Sequence, residues 1–124
     1  IGPSAIGGGT RTVLFGLAMH AGVALVWTTL FLALVLLSPP LRRSVAPPAG
    51  IVVAAAMYGP LIWIVMSLVV IPAFTGRPAT IGLRWWVQLV AHIPFVALPI
   101  VATIARGLAP ARLVADASLA GDAA

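Results

Sequence analysis

The chain has 124 residues and a formal charge of +5, with 62% apolar and only 7% charged residues. Soluble domains carry about 25% charged residues, so this composition excludes an ordinary water-soluble domain and favours solvation by lipid. Disulfides and thiolate metal sites are excluded because the chain has no cysteine. The arginines lie at the ends of apolar runs, which is typical of membrane anchors and argues against a nucleic-acid-binding surface.

The first apolar run follows a Gly-rich leader, which we place at residues 1–12. Residues 13–37 contain no charged side chain and are long enough to cross a hydrocarbon core of about 30 Å. Pro39 and Pro40 cannot continue this helix, because proline has no backbone N–H. We therefore predict a first transmembrane helix over 13–37, followed by a connector over 38–50.

The second apolar run covers residues 51–71, and Pro60 lies near its middle. A proline inside a helix leaves the carbonyl four residues earlier without its usual partner, so we expect a kink that frees the carbonyl of Ala56. The run is predicted to be the second transmembrane helix, and residues 72–84 are predicted to form a loop.

The third apolar run covers residues 85–104 and contains Pro94 and Pro99, which predict a bent helix. An Ala-rich tail follows over residues 105–124. The sequence thus predicts an all-α transmembrane helical bundle of three spans. Because the chain begins with Ile1 and not with Met, we expect a further segment upstream, and a span within it would give four in the complete protein.

The arginines also predict the orientation of the bundle. Those in the first connector and the tail are Arg42, Arg43, Arg106 and Arg112. Those on the opposite side are Arg11, Arg77 and Arg84. The positive-inside rule then places the first connector and the tail in the cytoplasm, by an excess of one charge. The residues predicted to anchor the bundle at the headgroup level are Arg11, Arg42, Arg43, Arg84, Trp85, Trp86 and Arg106.

The predicted spans contain no acidic residue, since Asp116 and Asp122 in the tail are the only two in the chain. Proton relays inside membranes usually use carboxylates, and paired-carboxylate catalysis requires them. We therefore predict that the protein is not an enzyme.

Polar side chains in the spans are the remaining candidates for a site. His20 and His92 each lie two helical turns into a span, roughly 10 Å below the same interface, and Ser67 lies roughly 6 Å below it. Gln88 precedes His92 by one turn. We predict interhelical polar contacts by His20, Ser67, Gln88 and His92, because polar side chains commonly join helices within membranes.

An alternative is that His20 or His92, or both, ligate a haem or a chlorophyll. Neutral imidazole is a common axial ligand of haem iron. The small neighbours Gly16 and Ala24 leave space beside His20 for the face of a macrocycle. The leading prediction includes neither a cofactor nor a metal site.

Short stretches of the sequence resemble a group of small, functionally uncharacterised bacterial inner-membrane proteins. These stretches are Gly16-Leu17-Ala18-Met19-His20 leading to Trp27, Tyr58-Gly59-Pro60-Leu61-Ile62-Trp63, and Val90-Ala91-His92-Ile93-Pro94 leading to Leu98-Pro99-Ile100. The similar proteins usually have four spans, so the resemblance implies a multi-pass topology with one more span before the leader. It implies no activity.

The small size and the absence of a catalytic constellation favour a non-catalytic accessory or scaffold subunit of a larger bacterial membrane complex. Its expected partners are the lipid bilayer and other transmembrane subunits, without nucleic acid. Two alternatives are a cofactor-holding subunit of a respiratory or photosynthetic complex, through His20 or His92, and a component of a transporter for small neutral solutes.

Overall fold

The computed structural model describes the backbone of residues 9–122 and the side chains of residues 9–110. All regular structure in this part of the chain is helical, which confirms the predicted all-α fold. The elements are α1 (Gly9–Leu37), α2 (Pro39–Ser44), α3 (Pro48–Val65), a first π turn (Met66–Val70), α4 (Ile71–Thr75), α5 (Leu83–His92), a second π turn (Ile93–Ala97) and α6 (Leu98–Asp122).

Three helical runs are long and apolar enough to cross a membrane, and we call them spans one, two and three. They are Gly9–Leu37, Pro48–Thr75 and Leu83–Pro110. We name the two ends of the bundle after the segments that lie there. The connector end holds residues 38–47, between spans one and two, and the loop end holds residues 76–82, between spans two and three.

The helices extend beyond most of the predicted boundaries. Residues 9–12 of the predicted leader are helical, and residues 1–8 lie outside the described part of the chain. The predicted tail continues the third helix, because α6 runs without a break to Asp122. Apolar runs mark only the hydrocarbon core, whereas a helix continues through the headgroup layer wherever Ala and Arg supply good helix formers.

The connector between spans one and two contains the short helix α2, which the sequence did not predict. Its first residue is Pro39, and the hydroxyl of Ser38 accepts a hydrogen bond from the N–H of Leu41 at 3.4 Å. A proline at the first helical position costs no hydrogen bond, because that N–H has no helical partner. Pro39 therefore ends one helix and begins the next.

The prolines within spans two and three are accommodated without ending the runs. Pro60 lies inside α3. Near Pro72 and Pro94 the helix widens into a π turn, where Ile71 donates its N–H to the carbonyl of Met66 and Leu98 donates to that of Ile93. Such a turn shifts the hydrogen-bond register by one residue, which re-satisfies backbone groups that a proline displaces.

The hydrophobic core lies in the connector half of the bundle. Its buried side chains come from all three spans and from the connector: Phe31, Val35, Val45, Ala55, Tyr58, Ile62, Ala97, Val101 and Ile104. Spans two and three cross most closely at Gly59, where an added Cβ would lie 2.9 Å from the backbone carbon and oxygen of His92. Only glycine permits this approach, because any side chain would meet backbone atoms.

Span one leaves the bundle toward the loop end. No residue from 9 to 30 is buried, and the first buried side chain of α1 is Phe31. Spans two and three stay together over the same depth, through residues of α3, α5 and the first π turn. The loop half of the bundle is therefore a two-helix contact, with α1 standing apart.

Candidate functional site

A tryptophan–histidine cluster joins spans two and three in the loop half of the bundle. The rings of Trp63 and His92 lie 4.8 Å apart, and those of Trp63 and Trp85 lie 6.2 Å apart. The indole N–H of Trp85 donates to the hydroxyl of Ser67 at 3.0 Å, and both residues are buried. The structure therefore links Ser67 and His92 through two tryptophans, while His20 lies outside this cluster.

Of the four residues predicted to make interhelical polar contacts, Ser67 makes an interhelical hydrogen bond. The Nδ1 atom of His92 lies 2.6 Å from the carbonyl oxygen of Gln88, one turn earlier in the same helix. Residues four apart on a helix are neighbours, so an imidazole reaches this carbonyl readily. The contact of His92 with another span is instead its ring contact with Trp63.

The other two predicted contacts differ from the prediction. His20 is exposed on α1 and has no hydrogen-bond partner among the described residues, because α1 has left the bundle at this depth. The side chain of Gln88 is half-buried and makes no hydrogen bond within the described part of the chain, whereas its backbone carbonyl is used by His92. The depth of these two residues in their spans predicts neither the exposure of His20 nor the lack of a side-chain hydrogen bond at Gln88 among the described residues.

The hydrogen bond of His92 fixes which ring nitrogen carries the proton. A carbonyl oxygen can only accept a hydrogen bond, so Nδ1 carries the hydrogen in this contact. In a neutral imidazole, Nε2 then holds the lone pair. Metal-ligating histidines have this arrangement, with one nitrogen donating to a carbonyl and the other available to a metal.

Two adjoining cavities lie at the loop end, and we call them together the loop-end cavity. The larger is bordered by span two and the loop, and the smaller also by span three. One has a volume of about 460 Å³ and the other of about 210 Å³. The walls of both cavities include Ser67, Ile71 and Ala79. The larger part adds Phe74, Thr75, Arg77 and Pro78, and the smaller part adds Trp63, Thr80, Arg84, Trp85 and Gln88.

The indole N–H of Trp63, in the wall of the smaller part, is buried and has no hydrogen-bond partner among the described residues. A buried donor without an acceptor is rare in folded proteins and costs about 1–3 kcal/mol. The partial positive charge of this enclosed N–H therefore has no described acceptor to offset it.

A second, apolar cavity separates α1 from span two. Its volume is about 440 Å³, and its walls are almost free of polar groups. Its lining residues are Ala18, Met19, Gly22, Val23, Val26, Trp27, Met66 and Val70. This groove is the space left open where α1 diverges from the first π turn.

The predicted anchors lie mostly at exposed positions. The exposed ones are Arg11, Arg42, Arg43, Arg84, Trp86 and Arg106. Trp85 differs, because it is only 8% exposed and turns inward toward Ser67. Successive residues on a helix point about 100° apart, so only one of two adjacent tryptophans can face outward here.

Two contacts between spans were not predicted from the sequence. Tyr58 donates its hydroxyl to the backbone carbonyl of Trp27 at 2.6 Å, which joins spans one and two. Trp63 forms the centre of the tryptophan–histidine cluster. The available signal was that both aromatic residues lie well inside an apolar run, where a large ring usually packs against another helix and a phenol usually finds a hydrogen-bond partner.

The fold and these contacts define a multi-pass helical membrane protein. Its apolar residues face outward over most of the three spans, as in a protein solvated by lipid. No protein-family model, no curated protein and no solved structure matches the chain. The resemblance to small bacterial inner-membrane proteins therefore stays a prediction.

Proposed function

We propose that the protein is a non-catalytic accessory subunit of a bacterial inner-membrane complex, and that the loop half of α1 packs against transmembrane helices of other subunits. The observation that carries this proposal is that α1 has no buried residue from position 9 to 30, although it is long enough to span. The excess of one arginine on the side of the connector end supports an orientation with that end in the cytoplasm.

The glycines of α1 support a helical partner. An added Cβ at Gly16 or Gly22 would meet nothing within 4 Å, so packing inside this chain does not require glycine there. Glycine costs about 1 kcal/mol relative to alanine inside a helix. Ala18 and Gly22 form a small-xxx-small pair, the pattern that lets a second transmembrane helix approach closely.

His20 supports the same interpretation. Its imidazole lies on the exposed side of α1, well inside the span, without a hydrogen-bond partner among the described residues. A polar group facing hydrocarbon costs free energy, and polar side chains in membranes usually face other helices or water. A polar group on a neighbouring subunit would satisfy His20.

We propose a non-catalytic role because of the environment of Ser67. It is the most deeply buried serine in the described part of the chain. Its oxygen accepts from the indole of Trp85 and makes no contact with a histidine. A nucleophilic serine needs a base within hydrogen-bond reach. The described residues also contain no group of three or more His, Cys, Asp or Glu side chains that would hold a metal.

Site-specific photo-crosslinking in native membranes tests the proposal. A photoreactive amino acid replaces Met19, which is 51% exposed on the loop half of α1, and separately Phe95, which is 80% exposed on span three. We expect an adduct with another membrane protein from position 19 and only lipid adducts from position 95. Lipid adducts alone from position 19 would overturn the proposal.

A second candidate function is favoured by the hydrogen bond of His92 to the Gln88 carbonyl at 2.6 Å. It leaves Nε2 of a neutral His92 with a lone pair, which is the form in which an imidazole ligates a metal such as haem iron. The absorption spectrum of the protein purified from its native membrane tests this role. A Soret band that is lost in His92→Ala would support it, and a colourless protein would exclude it.

A further inference from the structure

The loop-end cavity has two cationic residues and no acidic one. Arg77 lines its larger part and Arg84 its smaller part. No Asp or Glu precedes Asp116 in the sequence, and both acids lie in the last part of α6, which runs away from the loop end. No acidic side chain of the described residues therefore offsets the positive charge at the cavity, which favours an anion from outside the chain.

Neutral donors surround these arginines. The side chains of Gln88 and Thr80 line the smaller part, and Ser67 lies between the two parts. The buried N–H of Trp63 adds partial positive charge that no described acceptor offsets. Because Ser67 already accepts from Trp85, its own hydroxyl hydrogen is free to be donated into the cavity.

The loop holds Arg77 at the rim of the cavity. Gly76 has a φ of 66° and donates its N–H to the carbonyl of Pro72 at 2.8 Å, which ends α4 in a left-handed turn. The next N–H, that of Arg77, donates to the hydroxyl of Thr75 at 3.3 Å, and Thr75 itself donates to the carbonyl of Ile71 at 2.8 Å. The backbone N–H of Arg77 is thus tied to the end of α4.

We propose that the loop-end cavity binds a phosphate-bearing anion, held by Arg77 and Arg84. Guanidinium groups bind phosphate oxygens in a planar, two-pronged geometry, which makes arginine well suited to phosphate recognition. The larger part of the cavity, at about 460 Å³, lies within the range of about 300–1,000 Å³ common for small-molecule sites. Ile71, Phe74 and Pro78 give it an apolar side that accommodates the glycerol and upper acyl chain of a phospholipid.

The phosphate has two possible sources, an anionic lipid headgroup and a soluble phosphate, and titrations of the full chain in neutral detergent micelles distinguish them. One arm adds phosphatidylglycerol, and the other adds inorganic phosphate, with chloride keeping the ionic strength constant. Tryptophan fluorescence is the readout, because Trp63 and Trp85 line the cavity. We expect a saturable change with phosphatidylglycerol. A matching change with inorganic phosphate that competes with the lipid would assign the site to soluble phosphate.

Charge variants give the decisive comparison. Arg77→Gln and Arg84→Gln should each weaken the apparent Kd about tenfold or more, since each removes a charge-assisted hydrogen bond. Arg11→Gln is the matched control, because Arg11 has the same charge on the same side of the membrane but does not line the cavity. Helicity by circular dichroism verifies that each variant is folded. Equal weakening by all three variants, or no saturable change with either probe, would overturn the proposal.

Discussion

The hydroxyl of Tyr58 donates to the backbone carbonyl of Trp27 at 2.6 Å, and this hydrogen bond marks the point where spans one and two separate. On the connector side of it, Phe31 and Val35 are buried in the core. On the loop side, α1 has no buried residue and borders an apolar groove. The same helix therefore stabilises the bundle with one half and offers a free face with the other.

Removal of this hydroxyl should weaken the attachment of α1 only modestly. In Tyr58→Phe, the ring contacts with Phe31 at 4.8 Å and Trp27 at 6.0 Å are kept and the hydrogen bond is lost. Interhelical hydrogen bonds in membranes contribute about 0.6 kcal/mol on average, up to about 1.7. We expect a loss of that size in the free energy of unfolding, measured by denaturant titration in mixed micelles.

The matched comparison is Tyr58→Ala, which also removes the ring. Tyr58 is only 5% exposed, so this change leaves a cavity in the core and should cost clearly more than Tyr58→Phe. Equal stabilities of the two variants would contradict a core position for the ring.

Gly59 and Gly22 should respond in opposite ways to the same substitution. Gly59→Ala places a methyl group 2.9 Å from the backbone of His92 and Ile93, so spans two and three must move apart, at a cost of about 1–3 kcal/mol. Gly22→Ala meets nothing within 4 Å and removes the cost of a glycine inside a helix, so it should stabilise the isolated chain by up to about 1 kcal/mol. Micelle unfolding of both variants measures this difference, and a neutral Gly59→Ala would argue against the close crossing.

The hydrogen bond between Ser67 and Trp85 should appear as a coupling energy. Ser67→Ala removes the acceptor and Trp85→Phe removes the donor, so each single variant breaks the 3.0 Å contact. The double variant should cost less than the sum of the two, by about 0.6–1.7 kcal/mol. A double-mutant cycle measures that coupling, and strict additivity would mean that the two side chains do not interact.

A bulky side chain on α1 should release the partner subunits without unfolding the chain. Gly22→Leu fills the exposed face that we propose packs against another helix. Gly107→Leu is the matched control, because Gly107 is also exposed in a helix and also has nothing within 4 Å of an added Cβ. Blue native electrophoresis from native membranes should show a smaller assembly for Gly22→Leu alone. An unchanged assembly in that variant would place the interface elsewhere.

For the candidate sites, the sequence predicted only how deep each residue lies in the membrane. Ser67 and His92 were expected at a similar level, and the structure joins them through Trp63 and Trp85. His20 was expected with them, yet it faces outward on α1. Residue spacing fixes how far a side chain lies along a helix, whereas its angular direction relative to other helices depends on how the helices pack.

The sequence by itself determined that the chain is helical and crosses the membrane, because long uncharged runs have no other stable state in lipid. It also predicted the end of the first span, since Pro39 and Pro40 cannot continue that helix. Only the tertiary structure decided that α1 leaves the bundle on the loop side of Trp27, that Trp85 turns inward, and that Arg77 and Arg84 line adjoining cavities. These features depend on contacts between residues far apart in the chain, and no local pattern encodes them.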